Sequence, residues 1–220
     1  MSNGVAAVIL AGGSGSRLGG NKALHSLAGR PLAQYVADVV TTMAGTVVVA
    51  SSSEKAAMET IAGLRWPTVT QVVAAWDGQG YADHNEGLRR GPLAGIRAGL
   101  AASRAERCMV LGCDMPFLCR DLLMHLVEVS RGHDAAVPRT GPIKALEPLC
   151  AVYSQSCIPV MDGLLEAGVV RTTSLFAAVD SVYVDADACR LYDRAGLCFF
   201  NVNTPSDHAR AEDIIAARCL

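Results

Sequence analysis

The sequence carries no large excess of charge of either sign. Lys+Arg 19 against Asp+Glu 21 leave a formal net charge of -2. That excludes a nucleic-acid binder held by bulk positive charge. Lysine itself is scarce: Lys22, Lys55 and Lys144 are the only ones, so a lysine beside a glycine-rich loop stands out. Long hydrophobic runs are also missing. The apolar stretch from Val5 to Ala11 is far too short to span a bilayer. Met1-Ser2-Asn3-Gly4 has no basic leader, so no secretory signal is expected. Cys 8 is a high count, but no CxxC pair and no Cys/His ligand set occurs. Buried or incidental thiols in a reducing cytosol are therefore expected. The expected protein is cytoplasmic, with neither membrane nor nucleic acid as a partner.

A chain of 220 residues points to one domain. It can bury roughly 70% of its unfolded surface without disulfide or metal staples. Hydrophobic residues at 51% and charged residues at 18% exclude disorder. Strand and helix signals alternate along most of the length. The run Val5 to Leu10 is short, apolar and β-branched, the pattern of a central parallel strand. Further strands are expected at 46–50, 69–75, 108–111, 134–138, 149–153 and 182–185. Helices are expected from Pro31 to about Met43 and at 54–62, 92–102, 121–129, 154–167 and 206–218. Thr204-Pro205-Ser206-Asp207 supplies N-terminal signals for the last one. Repeated β-α units imply an α/β fold: a three-layer, doubly wound, mostly parallel sheet of Rossmann-like form. Residues 1–220 are read as one domain. The part to about residue 140 would bind a nucleotide, and the less regular remainder a second substrate.

After the first strand comes Leu10-Ala-Gly-Gly-Ser-Gly-Ser-Arg-Leu-Gly-Gly-Asn-Lys22. A glycine-rich loop at a strand's carboxyl end can aim backbone N–H groups at an anion. Arg17 and Lys22 add cations, so the simplest ligand is a polyphosphate. Two familiar phosphate motifs fail. Asn21 intervenes before Lys22 and Ala23 follows it, so no hydroxyl is placed as in a Walker A loop. Leu18 stands where a dinucleotide fingerprint needs its third glycine after Gly13 and Gly15. Further on, Asp114 ends an apolar strand in Cys113-Asp-Met-Pro-Phe117. There it can hold a hard cation such as Mg²⁺ together with substrate phosphates. Asp77, after the third strand, is a second carboxylate on the same edge, placed either to accept from a base or ribose or to be solvated. His25, His84, His125, His133 and His208 are scattered, with no obvious catalytic histidine among them.

With these motifs in place, the sequence resembles the molybdenum cofactor guanylyltransferases. Four segments carry the likeness, in order: Leu10 to Leu24, Gly91-Pro-Leu-Ala-Gly-Ile96, Cys113 to Phe117, and Phe199-Phe-Asn-Val-Asn-Thr-Pro205. The resemblance implies a nucleotidyltransferase fold and transfer of GMP from GTP to molybdopterin, with release of pyrophosphate. It places Leu10, Ala11, Gly12 and Gly13 along guanine and phosphates, and Lys22 on the phosphates. Asp77 would read the base, Gly95 would let guanosine approach the backbone, and Asp114 would hold Mg²⁺. Arg171, Asn201 and Asn203 would face the acceptor, near Glu147-Pro148-Leu149. Departures are Leu18 for the family's usual Met, Asn21 for its usual Asp, and Ser51-Ser52-Ser53 where an Asn is common.

On this reading the acceptor phosphate attacks the α-phosphorus of GTP in line. Lys22, Arg17 and Mg²⁺ on Asp114 offset the developing charge. Two other readings share many of the residues. One is a sister cytidylyltransferase acting on molybdopterin or another phosphorylated acceptor. The other is a non-catalytic nucleotide-binding module. A labile pterin product also suggests transient contact with other cofactor-biosynthesis proteins or with recipient molybdoenzymes.

Overall fold

The computed structural model describes residues 4–12, 20–77, 91–140 and 145–218. The chain opens with β1 (Val5–Leu10), a 3-10 turn (Lys22–Leu24), β2 (Ser26–Leu27), β3 (Arg30–Pro31), α1 (Leu32–Val40) and β4 (Thr46–Ser51). It continues through α2 (Glu54–Gly63), β5 (Gln71–Trp76), α3 (Pro92–Ser103), β6 (Arg107–Gly112), α4 (Arg120–Val129) and β7 (Ala135–Thr140). The remainder comprises β8 (Ala145–Leu146), β9 (Cys150–Ser154), α5 (Cys157–Glu166), α6 (Thr173–Phe176), β10 (Ser181–Asp185), α7 (Ala186–Tyr192) and α8 (Pro205–Arg218).

The main sheet has the order β10-β7-β9-β6-β1-β4-β5, with β8 paired to β7. Strands β6, β1, β4 and β5 run parallel, as do β7 and β10. β9 is antiparallel to both of its neighbours. The expected doubly wound, mostly parallel sheet is therefore what forms. β1 lies inside it, and Ala6 to Leu10 are all buried, which is why the strand reads as a continuous apolar run.

Alternate residues of each central strand feed opposite layers. Ala7, Ile9, Met109 and Leu111 pack with Val36 and Val40 of α1 and with Leu122 and Leu126 of α4. Ala6, Val8, Leu10 and Val110 pack with Leu93, Ile96 and Leu100 of α3, and with Met161 and Phe176. A smaller cluster of Leu27, Leu32, Phe117, Val202 and Ala211 sits under α8 and the β2–β3 hairpin.

α3 approaches β1 very closely. A Cβ at Gly99 would fall 2.4 Å from Val8 Cγ1, so only glycine allows that approach. α1 is shorter than the expected 31–43: Pro31 is its N-cap and also ends β3. The β2–β3 hairpin, β8, α6 and α7 were not expected; each is too short to show periodicity. Among the described residues, no helix is long and apolar enough to cross a membrane.

Candidate active site

The carboxyl edges of β1, β4, β5 and β6 form one ledge. Backbone hydrogen bonds continue past the strand ends: Ala11 N to Ala50 O at 2.8 Å, Asp77 N to Ser51 O at 3.2 Å, and Cys113 N to Leu10 O at 3.1 Å. This brings Leu10, Ala11, Gly12, Asp77 and Asp114 to the same side of the sheet. A Cβ at Gly12 would sit 3.5 Å from Ser52 N, so the first turn leans on the end of β4. Gly13 and Arg17 lie outside the described residues.

Lys22 is set by its neighbour. Asn21 Oδ1 accepts from Ala23 N at 3.2 Å, capping the turn. Asn21 Nδ2 donates to Thr60 Oγ1 of α2 at 2.9 Å, and the buried Thr60 hydroxyl donates to Ala56 O at 2.9 Å. A Cβ at Gly63 would fall 2.6 Å from Leu24 Cδ2. α2 therefore holds both ends of the turn that carries Lys22. Thr60 was not among the expected site residues, since nothing local in the sequence points to it.

Three segments meet at the Lys22 ammonium. It donates to Asp114 Oδ2 in an ion pair, with both side chains 17% exposed. It also donates to Asn203 Oδ1 at 2.7 Å. The 199–203 segment is tied to the same place, since Val202 N donates to Asp114 O at 2.9 Å. Asp114 has room because Gly112 lacks a side chain: a Cβ there would lie 2.7 Å from Asp114 Oδ1.

Asp77 and Gly95 also meet. A Cβ on Gly95 would lie 3.4 Å from Asp77 Oδ1 and 3.1 Å from Leu10 Cδ2. A carboxylate, an apolar side chain and a bare helix backbone thus frame one slot. The remaining expected residues are more dispersed. Asn201 Nδ2 donates to Phe199 O at 3.0 Å, so its amide braces its own loop. Arg171 is exposed, and its carbonyl accepts from Ser174 N at 3.1 Å. Glu147 Oε1 accepts from Thr140 Oγ1 at 2.7 Å, while Leu149 O accepts from Gly112 N at 2.9 Å beside Asp114.

Cys219 lies outside the described residues, and the described thiols are structural. Cys108, Cys113, Cys150, Cys157, Cys189 and Cys198 are free and buried, and Cys119 is partly exposed. Burial pushes Cys113 up to about 12, helped by the Asp114 charge and opposed by Lys22. Such thiols are poor nucleophiles and poor metal ligands. Among the described residues no three His, Cys, Asp or Glu side chains gather as a metal site. A cation on Asp114 would complete its shell with oxygens of water or of substrate phosphates. The carboxylate is a hard donor, and it fits Mg²⁺ bound jointly with phosphates.

The mixed α/β sheet, with a lysine and an aspartate joined at its carboxyl edge, belongs to a nucleotidyltransferase. The sequence model of the MobA-like NTP transferase domain matches residues 7–182, and the chain belongs to that family. It is 35% identical over 204 residues to a probable molybdenum cofactor guanylyltransferase of Pelotomaculum thermopropionicum, covering 93% of this chain and 90% of the relative. It is 30% identical over 215 residues to the molybdenum cofactor guanylyltransferase of Desulfosudis oleivorans, covering 97% and 96%. Among solved structures it is similar to molybdopterin-guanine dinucleotide biosynthesis protein A of Archaeoglobus fulgidus. The TM-score there is 0.78 at 27% identity, over 96% of this chain and 99% of the other.

Proposed function

We propose that this protein transfers GMP from GTP to molybdopterin and releases pyrophosphate. The observation that carries this reading is the meeting of Lys22, Asp114 and Asn203 at one point. The names of its relatives supply the nucleotide and the acceptor.

A phosphate oxygen of the acceptor forms the new bond to the α-phosphorus, and the bond from that phosphorus to the β-phosphate bridge breaks. The departing pyrophosphate carries away the electron pair. A phosphate monoester is already ionised near pH 7, so no strong general base is needed. Catalysis is then mostly positioning and charge stabilisation.

Lys22 gives up Asp114 for the phosphates while Asn203 keeps its hold on the ammonium, and Arg17 is expected to contact the phosphates as well. Gly12 and Gly13 let the phosphates approach the backbone. Asp77 accepts hydrogen bonds from the donor edge of guanine, with Leu10 and Gly95 against the ring. Asp114 would hold Mg²⁺, which when bound supplies Lewis-acid neutralisation of the phosphate charge. Arg171, Asn201 and Asn203 are assigned to the acceptor side. The protein works in the cytoplasm.

The test is thermal stabilisation by GTP, CTP and ATP, each with and without Mg²⁺, followed by pyrophosphate release with molybdopterin. A ligand at a hundredfold excess over its dissociation constant stabilises by about 2.7 kcal/mol. A GTP-selective shift with Mg²⁺ is expected. A CTP-selective shift would assign the chain to cytidylyl transfer, and tight GTP binding without turnover would make it a non-catalytic module.

A further inference from the structure

We propose that Asp207 is a positioning residue for Lys22, acting through Asn203; this rests on the reading that Lys22 serves the nucleotide phosphates. Asp207 is at the third position of α8, and Thr204 is the residue before its first turn. Thr204 Oγ1 accepts from Asp207 N at 3.1 Å, and Asp207 Oδ2 accepts from Thr204 N at 2.8 Å. That reciprocal pair is an ordinary helix cap. One further bond is not part of such a cap: the same oxygen accepts from Asn203 N at 3.0 Å.

Asn203 is the residue whose side chain accepts from Lys22 at 2.7 Å. It is fixed from both sides, by Asp207 at its own N–H and by Val202 N on Asp114 O at 2.9 Å. With its own N–H and that of the preceding residue both held, the amide oxygen has a defined place. The flexible four-carbon stem of a lysine gains a fixed acceptor.

Two later positions of α8 reach the chain just after Lys22. A ring nitrogen of His208 lies 2.6 Å from Ser26 O, and Glu212 Oε1 accepts from Ala28 N at 3.3 Å. α8 therefore reaches the Lys22 ammonium indirectly, through Asn203, and holds the following hairpin directly. The Asp207 carboxyl is held below its usual range by the Asn203 and Thr204 donors, with the Lys22 charge contributing.

The scarcity of lysine makes a direct test simple. The full chain, free of nucleotide, is treated with a limiting acylating reagent, and Lys22 labelling is read by mass spectrometry. Lys55, 87% exposed, is the internal reference. Asp207→Ala is expected to raise relative Lys22 labelling about threefold, the scale of one net hydrogen bond. Asn203→Ala is expected to do the same, and the double variant no more than either single. Asp207→Glu, the usual capping-box residue, is expected to restore the parent value.

In the GTP assay, Asp207→Ala is expected to lower kcat/KM about tenfold, and to have no effect in the Asn203→Ala background. Unchanged labelling, or effects of the two single variants that multiply, would overturn the proposal. So would a loss confined to the melting temperature, which is the signature of a cap alone. Coupled labelling in a protein that transfers no GMP would leave the positioning intact and sink the functional reading instead.

Discussion

Lys22 and Asp114 are 92 positions apart in the chain, yet they form an ion pair at the shared edge of β1 and β6. The residue read as the phosphate contact and the residue read as the metal holder thus neutralise each other before any ligand arrives. Binding nucleotide with a cation has to exchange that pair for two new ones.

This exchange predicts synergy between nucleotide and cation. Mn²⁺, titrated calorimetrically as a probe of the Asp114 site, should bind the nucleotide-free protein weakly. It should bind at least about tenfold more tightly with GTP present. Lys22→Gln removes the internal cation and should reverse the order, improving Mn²⁺ binding alone and weakening it with GTP. Equal Mn²⁺ affinity in parent and variant without nucleotide would show that the ion pair does not compete. Asp114→Asn should cut turnover by about a hundredfold or more, measured as pyrophosphate release.

The Asn21–Thr60 bond predicts a stability effect with a functional echo. Thr60→Val keeps the shape but leaves the Asn21 amide without its acceptor in a half-buried place. A loss of about 1–2 kcal/mol in urea unfolding is expected, with a rise in the KM for GTP as the Lys22 turn loosens. Thr60→Ser should recover most of both. Asn21→Asp needs the Thr60 hydroxyl to leave Ala56 O, so it should also destabilise.

Two glycines on α3 should separate packing from binding. Gly99→Ala would put a Cβ 2.4 Å from Val8 Cγ1. Val8 is β-branched and fully buried, so the helix must shift. Overpacking of about 1–3 kcal/mol outweighs the gain of about 1 kcal/mol in helix propensity, and net destabilisation is expected. At Gly95 the nearest atoms are at 3.1 and 3.4 Å, a smaller strain. Gly95→Ala should be nearly neutral in unfolding but should fill the slot beside Asp77, weakening GTP binding about tenfold.

Much of this geometry was legible because it is local. The apolar run of β1, Gly12 just after it and Asp114 just after β6 lie where the pattern marks a strand and its end directly. The antiparallel direction of β9 was not legible, because apolar periodicity carries no direction. The hairpin at Ser26–Pro31 was missed because two-residue strands have no period. Asp207 shows the limit most clearly. Its capping role is readable from Thr204-Pro205-Ser206-Asp207, but its link to Lys22 exists only once α8 packs against the β2–β3 hairpin.

The buried thiols predict how stability responds to alkali. Cys113 rises from an ordinary value of 9.0 to about 12, chiefly through burial, and Cys108 to about 11 for the same reason. Below pH 9 both folded and unfolded chains keep these protons, so the thiols contribute nothing to the pH dependence. Between 9 and about 12 the unfolded chain sheds protons that the folded chain retains. The unfolded state then binds fewer protons, and stability falls as pH rises, by at most about 1.4 kcal/mol per pH unit for each thiol. Tyr153, also raised by burial, adds to the slope above pH 10. Urea unfolding at pH 8, 9.5 and 10.5 should show the decline. Cys113→Ala lowers the whole curve by its cavity cost, yet it should flatten the slope by close to one proton. An unchanged slope would mean that this thiol ionises within the folded protein, and that the ledge beneath Asp114 admits water.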